Sequence, residues 1–160
     1  MSRNFQRFTD KNVTLVTEDT YFPLVIYTWF GEPSMPAVDE YYRLRWQYDE
    51  RARKEGTKVV LVTDGSEFKP PPATIRKYLA ERAMETDASD ALLCYVTCVP
   101  SPLLRGVVTA MAWIAGEQLK TNINLGSMNK VLERALVEFE KAGIQAPDVN
   151  PESYTPPTPE

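Results

Sequence analysis

The residues with useful chemistry gather where apolar runs end. Asp64, Gly65 and Ser66 follow the run VVLVT and precede three consecutive prolines, Pro70 to Pro72, with Thr74 and Arg76 next. A polar turn at the carboxyl end of a buried strand is where open α/β sheets meet ligands and partners. Asp64 can equally bond its own backbone in an Asx-type turn. GSEFK is no phosphate-binding loop, because it lacks the second glycine and the Lys-Ser/Thr end. Ser101 and Arg105 repeat the arrangement after the apolar run LLCYVTCV, one helical turn apart. With the free N–H groups of a following helix they can hold an anion, or they can act as an N-cap and a solvated Arg. Arg76 approaches the same edge if both crossovers end on one side. Trp113 falls off the apolar stripe of that helix and is a candidate contact residue.

The composition excludes several chemistries. There is no histidine, so Ser-His-Asp and Cys-His nucleophilic sites, His-ligated zinc and imidazole acid-base catalysis cannot be built within one chain. Cys94 and Cys98 share one face of a predicted strand about 13 Å apart at roughly 3.3 Å per residue, too far for a disulfide, and read as small buried hydrophobes. No carboxylate pair forms an acid-base site: Asp87 and Asp90 fall in a linker, and Asp39 and Glu40 face solvent. Neither a cofactor nor a metal is expected. A formal charge of -4 without clustered Lys or Arg argues against nucleic acid as a partner. No window reaches the roughly 20 apolar residues of a membrane span, and MSRNFQRFTDKN has no apolar signal-peptide run, so a cytoplasmic location is expected.

The elements that must position these residues follow from periodicity. VTLVTEDT alternates and FPLVIYTWFG is a denser apolar run, which predicts two adjacent strands in a tight antiparallel hairpin. Ser34 caps a helix that tolerates Pro36 in its first turn, buries Val38, Tyr41, Leu44, Tyr48 and Ala52, and stops at Gly56. KVVLVT is a buried strand, and the prolines at 70 to 72 open a second helix through Ile75, Tyr78 and Leu79. Leu92 to Val99 is the next strand. Ser101-Pro102 opens a third helix, TNINL is a short strand, and Ser127 caps a strongly amphipathic last helix that ends at Gly143. The predicted fold is α/β, in the order β-β-α-β-α-β-α-β-α, with one mixed, mostly parallel sheet under packed helices. Residues 1–12 read as an extension, 13–144 as the domain, and 145–160, with five prolines, as a disordered tail.

This order resembles the STAS and SpoIIAA-like proteins, the anti-sigma-factor-antagonist fold. The resemblance is carried by VIYTWFGEP, VVLVTDGSEF, VTCVPSPLLRGVVTAMAW and SMNKVLERAL, and spans roughly Val13 to Ile144. It implies a regulatory module that binds a partner protein. In the known antagonists a Ser or Thr at the start of the second helix accepts phosphate and switches binding. The equivalent segment here, KPPPATIR, has no Asp-Ser-Ser-Gly, which leaves Thr74 as the nearest hydroxyl and Ser66 earlier in the loop.

The first expectation is therefore a non-catalytic regulatory or scaffold module binding a partner protein through its strand-helix junctions. The alternative is a domain for a lipid or anionic ligand, in which Tyr27, Trp29, Phe30, Tyr41, Tyr42, Trp46 and Tyr48 line an apolar pocket and Arg105 or Arg76 fixes the head group. An enzyme using Asp64 or Cys98 is the third. The two-strand start leaves a sheet edge that can pair with a second copy as a homodimer.

Overall fold

A computed structural model describes residues 2–86, 90–106 and 122–160. Six strands form one sheet in sequential order: β1 (Phe5–Asp10), β2 (Val13–Glu18), β3 (Leu24–Gly31), β4 (Val59–Phe68), β5 (Leu92–Cys98) and β6 (Asn122–Leu125). The first three are antiparallel neighbours, and β3 through β6 run parallel. The described helices are α1 (Met35–Glu55), α2 (Ala73–Thr86) and α3 (Met128–Lys141), and residues 102–106 are also helical. The order matches the sequence reading, with one strand added at the front.

That added strand corrects the reading of residues 1–12 as an extension outside the domain. FQRFTD pairs along its whole length with β2, from Phe5 opposite Glu18 to Asp10 opposite Val13. The pairing supplies partners for backbone groups that β2 would otherwise present as a bare edge. Gly31 shows why the turn between β1 and β2 needs glycine across from it. Its φ is +93°, and a Cβ there would meet the Asn12 carbonyl oxygen at 2.0 Å.

Local signals set the ends of α1. Ser34 Oγ accepts from the Ala37 N–H at 3.3 Å, and Gly56 closes the helix with φ of 68°. Side chains on successive strand residues point to opposite faces, so the sheet has two cores. On one face α1 and α2 cover Leu15, Val25, Tyr27, Trp29, Leu61 and Tyr95. On the other, Val131, Leu132, Ala135 and Phe139 of α3 cover Val60, Val62, Cys94 and Val96, and α3 packs against β4, β5 and β6.

Residues 145–160 do not form the free tail their proline content suggested. Val149 is buried with Leu24 and Ile26, and Tyr154 packs against the same core. The segment crosses the part of the second face that α3 leaves open. Prolines restrict the unfolded chain, so fixing this segment costs less entropy than its polar composition implies.

Candidate functional site

The carboxyl ends of the parallel strands bring together most of the residues singled out by sequence. Asp64 and Ser66 do not form a turn there. β4 continues to Phe68, and its pairing with β3 passes from Thr28↔Asp64 to Phe30↔Glu67, so two residues of β4, Gly65 and Ser66, face one of β3. This is a β-bulge, which keeps the strand going while it re-aims the side chains. The Asx-type bond expected of Asp64 is present within it: the Ser66 N–H donates to Oδ1 at 3.0 Å, and the Ser66 hydroxyl donates to the same oxygen at 2.6 Å.

The expected polar turn is a buried bulge at Asp64, whose side chain lies on the α3 face at only 2% exposure, while Ser66 is exposed. Parallel pairing sets Asp64 beside Cys98, and Ser66 Oγ lies 3.7 Å from Cys98 Sγ. Burial pushes the Cys98 thiol up, the Ser66 contact lowers it, and the charge of Asp64 raises it again. A thiol held protonated in this way is a poor nucleophile. Gly65 completes the contact, since a Cβ there would meet the Cys98 carbonyl oxygen at 2.9 Å.

The arginines close their own loops. Arg76 Nη1 donates to the Pro71 carbonyl at 2.8 Å, and Arg105 Nε donates to the Val99 carbonyl at 3.1 Å. Ser101 accepts from the Leu104 N–H at 3.4 Å, as an N-cap does. Thr74 is exposed at the second position of α2. Pro70, Pro72, Pro100 and Pro102 are exposed on this rim and Leu103 is 72% exposed, beside the exposed polar residues Ser66, Glu67, Lys69 and Arg105. A hollow of about 330 Å³ opens between the β1–β2 turn and the start of α1, lined among others by Lys11, Glu32, Ser34 and Ile75. Trp113 lies outside the described residues, as does the predicted third helix beyond residue 106.

Comparison with known proteins adds little at this level of divergence. No family model and no curated protein matches the chain. Among solved structures, the anti-sigma factor antagonist SpoIIAA in its unphosphorylated form is similar at 14% identity and a TM-score of 0.45, covering 82% of this chain and 97% of that one.

Among the described residues the aromatic series packs ring on ring rather than around one apolar pocket, and only Trp46 borders a hollow, an open one shared with charged residues such as Glu50 and Arg51. Tyr27 and Tyr41 meet edge-on at 4.7 Å between ring centroids, as do Tyr41 and Tyr42 at 4.9 Å, and Trp29 is tilted against Tyr41 at 5.9 Å. Arg45 fills the remaining space, its guanidinium 4.7 Å from the Tyr95 ring and 5.3 Å from Tyr42. Ring packing of this density is core. Trp46 stands apart, 64% exposed on the outer side of α1. Among the described residues there is no cluster of His, Cys, Asp or Glu that could hold a metal ion, and no helix is long and apolar enough to cross a membrane.

Sequence reasoning missed a second polar center, on the α3 face between β1, β2 and the C-terminal segment. Glu18, 1% exposed, receives Arg3 through two contacts of 2.7 Å, and the Tyr154 hydroxyl donates to Glu18 Oε2 at 3.1 Å. Burial raises the Tyr154 phenol well above its ordinary value and the Glu18 charge raises it further, while Arg3 opposes them. The available signal was the one aromatic residue in a proline-rich stretch, together with Arg3 and Arg7 flanking Phe5.

Proposed function

We propose that this chain is a non-catalytic interaction module that meets a partner protein through the carboxyl-end rim of its sheet. The observation that supports this reading is how the rim's polar groups are used. Asp64, Arg76, Ser101 and Arg105 are each bonded to nearby backbone, while Leu103 and four prolines face outward. A rim stiffened by four exposed prolines loses little conformational entropy on docking, and the exposed Leu103 offers it an apolar anchor, which suits protein recognition better than turnover. Thr74 and Ser66 are the exposed hydroxyls among the rim residues singled out, Ser101 being half-buried as an N-cap. A phosphate on Thr74 would sit in the first turn of α2, where the helix dipole favors it and its charge would oppose an apolar contact.

The test is native mass spectrometry of the protein purified from its own host, repeated with Leu103→Asp and with Trp46→Ser. A co-purifying protein that is lost with Leu103→Asp and kept with Trp46→Ser, both variants folded by circular dichroism, is the expected result. A bare chain, or a partner indifferent to Leu103, overturns the reading. An added small-molecule mass replaces it with the ligand-binding alternative.

A further inference from the structure

On the α3 face, β1 to β3 are covered by a segment without helix or strand, and that segment is seated as a bound peptide would be. Its first anchor is Val149, buried against Leu24 and Ile26. Its second is Tyr154, whose ring lies 5.0 Å from the Arg3 guanidinium and whose hydroxyl donates to Glu18. Two arginines then hold its backbone. Arg3 Nη1 donates to the Thr155 carbonyl at 2.8 Å, and Arg7 donates to the Thr158 carbonyl from Nε at 3.3 Å and Nη2 at 3.2 Å. Phe5 lies between these arginines, 4.7 Å from the Arg3 guanidinium and 5.4 Å from that of Arg7.

The spacing of these contacts has a physical meaning. Thr155 and Thr158 are three residues apart, the repeat of a polyproline II helix, and Pro156, Pro157 and Pro159 surround them. Contacts to main-chain carbonyls at that repeat read an extended proline-rich backbone without regard to side chains. The buried Glu18 carboxylate reads one hydroxyl-bearing aromatic ring. Backbone contacts for affinity and a pocket for one side chain are the division of labor found in peptide-recognition grooves.

We propose that the groove formed by Arg3, Phe5, Arg7 and Glu18 is a recognition site for a segment in which a tyrosine, reached through a turn at residues 151–153, leads into a proline-rich stretch. The chain's own residues 147–158 occupy it, and a partner protein bearing such a segment takes their place. The tethered segment competes at an effective concentration on the order of millimolar, so the groove is closed to weak binders and opens only to a better or more concentrated match. This does not rest on the strand-end reading, because its residues come from the other end of the chain and from β1 and β2.

The probe is a fluorescein-labeled peptide with the sequence of residues 147–160, titrated by anisotropy against the full chain. Tyr154→Ala removes the anchor from the tethered segment and leaves every groove residue in place. The folded Tyr154→Ala chain is expected to bind the peptide about tenfold tighter than the wild-type chain does, as tethered competition requires. A peptide with Phe at its tyrosine position should bind several-fold more weakly. Adding Glu18→Gln to the Tyr154→Ala chain should abolish most of the gain. If that double variant does not fold, Arg7→Ala, at an exposed position, serves in its place with a several-fold loss expected. No binding to the folded Tyr154→Ala chain at about millimolar peptide, or equal binding with and without the Glu18 or Arg7 change, overturns the proposal. A wild-type dimer that exchanges these segments between copies overturns the choice of partner in favor of a second copy.

Discussion

The two faces of the sheet solve one problem in different ways. Under α1 and α2 the covering side chains are aliphatic and aromatic, and the helices satisfy their own backbones, so the polar Arg45 is enclosed by rings. Under α3 half of the face is treated likewise, but the half over β1 to β3 is closed by irregular chain whose backbone needs partners from outside itself. Arg3 and Arg7 supply them, and a buried carboxylate at Glu18 orients Arg3. Helix-covered core is stabilized by area. Segment-covered core depends on a few directional contacts, so single changes should have sharper and more local effects there.

The largest expected effect tests whether the helix-covered parts are alike. Leu61→Ala under α1 and Phe139→Ala within α3 should each cost about 3–5 kcal/mol in urea unfolding, with no selective release of residues 147–160. A loss under 1 kcal/mol for either would mean that its face is loosely packed. The next effect separates the two kinds of cover. Arg3→Ala strands the buried Glu18 carboxylate and should cost about 3 kcal/mol, the low end for a broken buried pair because Arg3 is 28% exposed. Glu18→Gln leaves the half-exposed guanidinium instead and should cost less. Removing residues 147–160 should cost about 2 kcal/mol, or about 4–8 °C in Tm, and an unchanged Tm would restore the free-tail reading.

The smallest effect is alkaline. Burial pushes the Cys94 thiol from its ordinary 9.0 up to about 11. Between those values the unfolded chain has released a proton that the native chain still binds, so stability is full below pH 9 and falls as pH rises. The Cys94 share of the loss should be about 1 kcal/mol at pH 10, and Cys94→Ala should remove that share while leaving what Cys98 and Tyr154 contribute. A variant with the same alkaline decline as wild type would show that this thiol is not shielded by the α3 core.

The elements that organize the site were legible because their signals are local. Continuous apolar runs marked β3, β4 and β5, Ser34 and Gly56 marked the ends of α1, and the period of Val131, Leu132, Ala135 and Phe139 marked α3. Asp64 was legible as a residue bonded to its own backbone, but not as part of a bulge, because Asp-Gly-Ser reads as a turn unless the neighboring strands are known. β1 was missed because FQRFTD has a strand's alternation with few apolar residues. The groove was missed for a deeper reason. Arg3 and Thr155 are 152 residues apart, and nothing near either one announces the other.

That separation also bears on the time at which the molecule is finished. Each strand of the sheet pairs with the strand made just before it, in the order β1 to β6, so the sheet can grow as the chain leaves the ribosome. The Arg3 and Arg7 contacts to residues 155 and 158 are different, because their acceptors are synthesized 152 and 151 residues after the arginines. Until residues 147–158 have been synthesized, the proposed groove on β1 and β2 has no segment of its own to fill it. A chain still short of those residues therefore offers to its surroundings a surface that they later cover, and a partner meeting it then would have no tethered competitor.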